Sequence, residues 1–252
     1  MTASLPLSDA ARQQLAPTGT LRVAIAVGAA ISAVWCARDA AGAPRGVTVD
    51  LAHALAGRTG LPLTLVEHES SGAIMEAASS GAWDVAFAPV DAQRRTQADF
   101  GPAYFLGEST YLVRDASPIR TLADVDDPAV RVVGVEGTAT LRSAHRTLAR
   151  TTPHGVGGLE DALALFRSGA ADAVALGRES LLSLLPDLPE ARILDGHFHA
   201  AGTAVAVPLG HGAALAVVSQ FLEQAKADGT VRAAFDRNGM TTAAVAPAAP
   251  AA

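Results

Sequence analysis

The stretch Ser80–Tyr104, SGAWDVAFAPVDAQRRTQADFGPAY, decides the fold, because it joins a buried strand to a polar turn. We expect a helix to end at Ser80-Gly81, since glycine tolerates the left-handed conformation that closes many helices. The apolar run Ala82–Ala88 that follows is typical of a strand buried on both faces of a parallel sheet. Arg94 and Arg95 come just beyond the carboxyl end of that strand, at the edge where open α/β sheets bind ligands.

The same pattern recurs later in the chain. Ser168–Leu176 reads SGAADAVAL and matches Ser80–Ala88, SGAWDVAFA, in residue type and in its position after a predicted helix. A recurrence at roughly 90 residues is too long for a solenoid repeat and suits two similar lobes, which implies a cleft between them. The alternative is that helix–glycine–strand junctions look alike without any repeat behind them.

Strands and helices alternate on both sides of this stretch. Before it, the sequence predicts strands at 21–27 and 61–66 and helices at 47–60 and 70–80. After Ser117-Pro118 it predicts a second unit, with strands at 130–135 and 171–176, a helix at 159–168 and an amphipathic helix at 213–227. The alternation predicts an α/β fold with a parallel sheet in each part.

The composition excludes several classes of protein. Of the 252 residues, 50% are hydrophobic and 17% are charged, so the chain is globular and long enough for two lobes. The formal net charge is -6, and Arg94-Arg95 is the one adjacent basic pair. We therefore expect no nucleic-acid partner.

The termini and the cysteine count bear on the compartment. Cys36 is the single cysteine, so no intramolecular disulfide can form. The beginning of the chain lacks the basic and apolar regions of a secretory signal, and no apolar run reaches the ~18–20 residues of a membrane span. We expect no membrane insertion and a cytoplasmic protein as the sequence stands, or a periplasmic one if a leader has been removed.

Motifs for other chemistry are missing from the sequence. It has no GxSxG, GxxxxGK[ST] or strand-linked GxGxxG motif, so hydrolase, P-loop and dinucleotide-binding functions lack support. His197 and His199 are spaced so that both would lie on one face of a strand, but no third metal ligand is evident. We predict neither a metal nor a cofactor.

Several motifs, in their order along the chain, carry a resemblance to a known family: LRVAIA, GVTVDLAHALAGRTG, RRTQADFGPAYF, VRVVGVEGTAT and FLEQAKADGTVRAAFDRNG. Over roughly residues 20–240 the chain resembles the family 3 extracellular solute-binding proteins, the polar amino-acid binders of ABC transporters. The resemblance implies the type II periplasmic-binding-protein fold, in which two α/β lobes close on a small ligand by a hinge motion. We expect a monomer whose partners are that ligand and an ABC permease.

The resemblance also implies how the chain is divided. Lobe 1 is discontinuous and comprises 19–113 plus 201–240, and lobe 2 is inserted as 114–200. The remaining segments, 1–18 and 241–252, are expected to be loose termini, the second because it is rich in alanine and proline.

Two binding residues follow from the resemblance. Arg94 matches the arginine that clamps the ligand's carboxylate, a task that suits a planar guanidinium with a bidentate fork. The alternative is a solvated surface arginine, which Arg95 also fits. Thr138 matches a threonine at a helix N-terminus facing the cleft, where free N–H groups and the helix dipole favour an anion. The alternative there is an ordinary N-cap without a ligand.

Two departures from the family pattern put a standard α-amino acid in doubt. Gly177 stands where the family usually presents an aspartate to the ligand's ammonium group, and the segment 28–32 lacks the family's aromatic residues. Arg178 would then meet a second anionic group of the ligand. Alternatively, Glu108 or Glu179 replaces the missing aspartate.

The sequence therefore predicts a solute-binding protein that closes on a small carboxylate-bearing ligand. An enzyme on the same fold, similar to cyclohexadienyl dehydratases, is the alternative. In that case Glu108 or Glu179 is the candidate general acid, with a pKa raised by burial. A metabolite sensor is a third possibility.

Overall fold

A computed structural model describes residues 4–28, 32–136 and 138–248, and the chain divides into two compact units. Unit 1 combines Met1–Leu106 with Ala201–Ala252, and unit 2 is Gly107–Ala200. The first boundary comes earlier than the one we predicted after Val113, because the segment that follows Leu106 is already paired within the sheet of unit 2.

The elements alternate as the sequence predicts. The strands, in chain order, are β1 (Leu21–Val27), β2 (Trp35–Arg38), β3 (Pro44–Arg45), β4 (Leu63–His68), β5 (Val85–Pro89), β6 (Ala98–Arg114), β7 (Val132–Val135), β8 (His154–Val156), β9 (Ala173–Gly177), β10 (Ala191–Ile193) and β11 (His199–Pro208). The α-helices are α1 (Asp9–Leu15), α2 (Val47–Thr59), α3 (Ser71–Glu76), α4 (Ala139–Thr147), α5 (Leu159–Arg167), α6 (Arg178–Leu184), α7 (Gly212–Ala227) and α8 (Thr230–Arg237). Short 3-10 helices cover Ala77–Ser79, Arg94–Thr96, Ala123–Val125 and Leu185–Asp187.

The sheet of unit 1 is built around β1. It runs parallel to β4 from Leu21 to Ala26 and parallel to β5 from Val23 to Ala24. β11 returns antiparallel to β5, with Val205 opposite Phe87. This arrangement brings the carboxyl ends of β1, β4 and β5 to one edge of the sheet, as the βαβ pattern of the sequence requires.

The core of unit 1 lies between this sheet and the helices of the C-terminal segment. Phe221 of α7 and Phe235 of α8 are fully buried in it, beside Leu51 of α2. Tyr104 packs edge-on against Phe87, with ring centroids 5.5 Å apart. The last helices of the chain therefore complete the first unit.

The prediction of loose termini is wrong for the part of them that the structure describes. In 4–18, Ser8 caps α1, whose Leu15 is fully buried in the core of unit 1. In 241–248, Ala243 and Ala246 are buried, and the Ala246 amide donates to the Tyr104 carbonyl at 3.0 Å. The alanine-rich sequence of the C-terminal segment gave no sign of this packing. Alanine side chains are too small to produce a clear amphipathic pattern, but they fit closely against a core.

The strands within unit 2 pair into their own part of the sheet, and the unit has its own core. β7 lies parallel to both β8 and β9, and β6 pairs antiparallel with β9 and with β10. α5 covers this sheet with Leu163 and Phe166, which are buried against Leu112 and Val174. Both units therefore have the α/β organisation that the sequence predicts. Among the described residues, none of the helices has the length and apolar character that crossing a membrane requires.

The recurring phrase of the sequence forms the same junction in both units. Gly81 and Gly169 each close a helical segment with a positive φ, 70° and 80°. Three residues later, Asp84 and Asp172 each pair with an arginine at the start of the neighbouring strand region, Arg22 in unit 1 and Arg131 in unit 2.

The two ion pairs have matching geometry. Asp84 accepts the Arg22 amide, Nε and Nη2 at 2.9, 3.0 and 2.6 Å. Asp172 accepts the Arg131 amide, Nε and Nη2 at 3.0, 2.9 and 2.7 Å. Such agreement in hydrogen-bond pattern indicates a structural repeat and goes beyond what a generic helix–strand junction requires.

The pair in unit 2 predicts how stability changes in acid. Hydrogen bonds from Arg131 hold the pKa of Asp172 below its ordinary value of 3.8. A carboxyl group whose pKa is lower in the folded state than in the unfolded state stabilises the fold above the unfolded-state pKa. That contribution is lost as the pH falls through the folded-state pKa. We expect Asp172→Asn to melt below wild type from neutral pH down to about pH 4, and the difference to shrink below that. Far-UV circular dichroism melts from pH 7 to 2 measure it, and a difference that widens in acid would contradict the assignment.

Candidate functional site

A cavity opens in unit 1 at the edge where its parallel strands end. β1 ends at Val27, β4 at His68 and β5 at Pro89. In open α/β sheets, ligands bind outside the carboxyl ends of the strands. The cavity has a volume of about 720 Å³ and is lined by Val27, Gly28, Ala37, Arg38, Glu67, His68, Glu69 and Ala73. The predicted departure at 28–32 borders it, but residues 29–31 lie outside the described part of the chain.

Arg94, the predicted carboxylate clamp, begins a 3-10 helix just after β5, and its side chain folds back onto unit 1. Nη1 donates to the Pro89 carbonyl at 2.9 Å, and Nη2 donates to Ser71 Oγ at 3.1 Å. Asp91 Oδ1 accepts the Arg94 amide at 2.8 Å, while its Oδ2 lies 3.6 Å from Nε. The side chain is 20% exposed. Arg94 is therefore held at the carboxyl end of β5 and does not extend into bulk solvent.

His68 is a polar residue of this edge that sequence reasoning missed. It is the last residue of β4 and lines the cavity. Its Nε2 is buried with no hydrogen-bond partner in the described chain, and burial lowers the pKa of the imidazole. A neutral imidazole nitrogen can make one hydrogen bond, and at Nε2 the described chain leaves that bond unmade. The signal was present, because the strand predicted at 61–66 runs two residues further on, to a histidine at its end.

Four predicted site residues lie near one end of the sheet in unit 2. β7 and β9 are parallel, and their carboxyl ends lead into α4 and α6. Ser109 of β6 lies opposite Gly177, so the residue before Ser109 is close to the start of α6. The four residues are Glu108, Thr138, Arg178 and Glu179. The structure thus gathers residues that the sequence separates by up to about 70 positions, as the contact between Glu108 and Arg178 demonstrates.

Thr138 has the geometry of an N-cap. Its Oγ1 accepts the Leu141 amide at 3.1 Å and donates to the Val135 carbonyl at 2.8 Å. A hydroxyl has one proton, so in this conformation Thr138 cannot also donate to an anion through its side chain. A binding role for Thr138 stays a prediction, and it would depend on the backbone N–H groups at the start of α4. Gly137, the residue before Thr138, lies outside the described residues.

Glu108, Arg178 and His197 form a connected polar cluster. Arg178 Nε donates to Glu108 Oε2 at 2.8 Å, and His197 Nδ1 lies 3.2 Å from Glu108 Oε1. The side chains of Glu108 and Arg178 are 28% and 27% exposed, so both remain accessible. Arg178 also donates through Nη2 to the carbonyls of Leu194 and Gly196. The carboxylate is thus neutralised within unit 2, and the guanidinium is fixed on three sides.

The remaining candidates in unit 2 are Glu179 and the two histidines near the start of β11. Glu179 follows Arg178 on α6 and is not free of partners. Burial, followed by the charge of Arg146, lowers the pKa of His199. In the part of the chain that the structure describes, no group of three or more His, Cys, Asp or Glu side chains that could hold a metal ion occurs.

Comparison with known sequences identifies one family. The family described as bacterial extracellular solute-binding proteins, family 3, matches residues 25–240. No match to a curated protein was found.

Solved structures with similar folds agree with the predicted type II periplasmic-binding-protein fold. The binding component of an ABC transporter from Wolinella succinogenes DSM 1740, complexed with lysine, superimposes with a TM-score of 0.68 at 21% identity, covering 87% of this chain and 95% of that one. An ancestral arginine-binding protein bound to arginine gives 0.61 at 25% identity, covering 87% and 97%. An ancestral amino acid-binding protein described as a precursor of cyclohexadienyl dehydratase gives 0.63 at 25% identity, covering 89% and 97%.

Proposed function

The chain belongs to the bacterial extracellular solute-binding proteins, family 3, and from that membership we propose that it closes on a small carboxylate-bearing ligand, an amino acid or a related organic acid, for an ABC transporter. The observation that carries the proposal is the fixed position of Arg94 at the carboxyl end of β5. Structural relatives described as bound to arginine and to lysine support a ligand with a carboxylate.

Arg94 keeps hydrogen-bonding capacity for such a ligand. A guanidinium has five N–H donors, and two of them are used on Pro89 and Ser71. Asp91 Oδ2 lies 3.6 Å from Arg94 Nε, which is too far for a hydrogen bond, although its negative charge remains close to the guanidinium. The remaining donors suit a carboxylate, and because the side chain is already ordered, binding costs little further rotamer entropy.

A thermal-shift screen of amino acids and of mono- and dicarboxylates tests the proposal. A ligand at about 100 times its dissociation constant should stabilise the protein by about 2.7 kcal/mol, which is readily seen as a raised melting temperature. We expect Arg94→Ala to reduce this stabilisation to about 0.4–1.4 kcal/mol at the same ligand concentration. Truncation removes a charge-assisted contact worth about 1.5–3 kcal/mol, or roughly tenfold to a hundredfold in affinity.

Arg95→Ala is the matched control. Arg95 is the adjacent arginine, it is exposed, and its guanidinium lies 5.9 Å from the Phe100 ring centroid. Its removal takes away the same charge from the same short helix, so the ligand-induced shift should remain. Equal shifts in wild type, Arg94→Ala and Arg95→Ala would refute the assignment of Arg94.

Catalysis is the second candidate function, and the likeness to a precursor of cyclohexadienyl dehydratase favours it. A general acid would have to hold a proton, but Glu108 is paired with Arg178 through one oxygen and lies beside His197 through the other. Both carboxylate oxygens therefore contact protein groups in this arrangement, so the geometry supports binding more than acid catalysis. Incubation with prephenate, followed by absorbance of an aromatic product, distinguishes the two functions.

A further inference from the structure

We propose that unit 2 holds a separate binding site for small organic cations, in which an amine is joined to an apolar or aromatic body. The site is a cavity of about 440 Å³ beside the C-terminal end of α4, and all of its lining residues belong to unit 2. The residues that carry the argument are Tyr111, Leu122, Asp126, Thr147, Leu148 and Phe198.

This cavity lies away from the candidate functional site. Thr147 is the last residue of α4, whereas Thr138 caps the N-terminus of the same helix. A helix of nine residues is about 13 Å long, so the two ends are well separated. A ligand in the cavity therefore needs none of the residues proposed to bind a carboxylate.

The Tyr111 hydroxyl is a buried polar group without a hydrogen bond. Tyr111 is 1% exposed, and its hydroxyl has no partner in the described chain. Burial raises the pKa of this phenol to about 12, with a smaller lowering by the Thr147 hydroxyl and a rise from the charge of Asp126. Both of these neighbours line the cavity, so the hydroxyl lies on the cavity side of its ring.

An N–H group from a ligand would supply the missing hydrogen bond. Thr147 does not supply it, because its Oγ1 donates to the Ser143 carbonyl at 3.0 Å. The Tyr111 oxygen is not accessible to solvent, so the contact requires the exposed Thr147 side chain to move aside. Satisfying a buried polar group offsets the free energy lost when it was removed from water.

Asp126 supplies a negative charge to the same cavity. Its Oδ1 accepts the amides of Ala149, Arg150 and Thr151 at 3.0, 2.7 and 3.2 Å. The bond from the Arg150 amide contributes most to holding the pKa of this carboxyl below its ordinary value, so Asp126 is ionised at neutral pH. These three bonds all end on Oδ1, which leaves Oδ2 to accept an N–H of an ammonium group.

The electrostatic surroundings favour a cation over an anion. The C-terminal end of α4 carries the negative end of the helix dipole. Arg150 also lines the cavity, but its side chain is 64% exposed and its Nη2 lies 3.8 Å from Asp127 Oδ2, so its charge is screened. An anion would instead face the ionised Asp126.

The remaining walls suit an apolar body. The rings of Tyr111 and Phe198 are stacked, with centroids 4.4 Å apart, and Leu122 and Leu148 pack against the same cluster. Apolar walls favour burial of hydrocarbon, and an ammonium beside an aromatic face gains cation–π attraction. An aromatic or alkyl amine therefore matches both parts of the cavity.

Three ligands of similar size test the inference: benzylamine is a cation, benzyl alcohol is neutral and benzoate is an anion. Each is titrated into the full chain at physiological ionic strength and followed by two-dimensional amide NMR. The reporters are the amides of Ala149, Arg150 and Thr151, because they bond to Asp126. We expect benzylamine to shift them saturably and to bind at least about fivefold more tightly than benzyl alcohol. Benzoate should give no saturable shift.

Variants locate the amine. Asp126→Asn keeps an oxygen that can accept the three amides but removes the charge, so benzylamine should bind about tenfold more weakly. Asp124→Asn is the matched control, because Asp124 accepts the amides of Arg120 and Thr121 at 2.9 and 2.8 Å and does not line the cavity. Its affinity should stay within about twofold of wild type.

Tyr111→Phe provides an independent test if Asp126→Asn does not fold. It removes only a hydroxyl that has no partner in the described chain, so the fold should keep its stability. Benzylamine should bind about threefold more weakly or worse, because its N–H group loses the phenol oxygen.

Several results would overturn the inference. One is the lack of a saturable shift at the reporter amides, and another is equal affinity for benzylamine and benzyl alcohol. Equal losses in Asp126→Asn and Asp124→Asn would show only a general attraction to an acidic protein. Loss of benzylamine binding in Arg94→Ala would place the amine at the candidate functional site instead.

Discussion

Asp84→Ala is expected to lower the free energy of unfolding of unit 1 by about 3 kcal/mol. The Asp84 side chain is 2% exposed and accepts three hydrogen bonds from Arg22, one from its amide and two from its guanidinium. Removing it leaves a partly buried charge and a backbone N–H without their acceptor. Because Arg22 is itself 20% exposed and can rehydrate, the loss should lie at the lower end for a broken buried ion pair.

The repeat supplies a matched control. Asp172 makes the same three hydrogen bonds to Arg131, but its side chain is 25% exposed and that of Arg131 is 58% exposed. Asp172→Ala should therefore destabilise unit 2 by only about 1 kcal/mol. The comparison mainly tests burial, since residue type and hydrogen-bond pattern are the same; the one further difference is that Asp172 Oδ1 also lies 3.9 Å from Arg114 Nη1.

Tryptophan fluorescence separates the two units in this experiment. Trp35 and Trp83, the two tryptophans of the chain, are both in unit 1, so their denaturation midpoint reports that unit. Amide hydrogen exchange by mass spectrometry follows β7 and β9 in unit 2. A fluorescence midpoint unchanged in Asp84→Ala, or equal losses for the two variants, would show that burial does not set the strength of this pair.

Much of the repeat can be recognised in the sequence, but the contribution of each Arg–Asp pair to stability cannot. The motifs LRVAIA and VRVVGV place Arg22 and Arg131 at equivalent positions, and the recurring phrase places the two aspartates. Pairing an arginine with an aspartate 62 residues away requires knowing that β1 and β5 are neighbours. Periodicity predicts which elements form, whereas sheet order decides which of their ends meet.

The sequence did not predict β6 as one long strand, and the reason is physical. β6 runs unbroken from Ala98 to Arg114 although it contains Gly101 and Pro102, residues that usually interrupt strands. At Gly101 an added Cβ would lie 2.9 Å from Val205 and 2.7 Å from Ser219. The glycine therefore permits close packing, and the strand continues through it.

The contacts between side chains of the candidate site could likewise be predicted only in part. The resemblance placed Arg94 at the edge of a strand, and the structure holds it there through Pro89 and Ser71. The neutralisation of Arg178 by Glu108 could not be predicted, because it depends on the antiparallel register of β6 and β9. Sequence reasoning left Arg178 as an anion receptor and Glu108 as an ammonium receptor, but the structure joins them into one pair.

Trp83→Ala is expected to cost unit 1 about 3–5 kcal/mol, the second large effect. Trp83 is 1% exposed in the cluster formed with Ile74, Met75 and Ala88, and its Nε1 donates to the Ile74 carbonyl at 2.9 Å. Truncation removes the apolar contacts, leaves a cavity and takes the donor from that carbonyl. Fluorescence of Trp35 and far-UV circular dichroism in denaturant measure the loss.

The equivalent position of the repeat makes the result informative. Unit 2 has Ala171 there, 2% exposed, so the same junction can close over a small side chain when its surroundings are built for one. Trp83→Phe restores most of the volume but not the N–H group, and it should recover more than half of the loss. A loss of less than about 1 kcal/mol for Trp83→Ala would contradict this expectation. Unit 1 would then have repacked around alanine, as unit 2 does, and Trp83 would not be needed to hold α3 against β5.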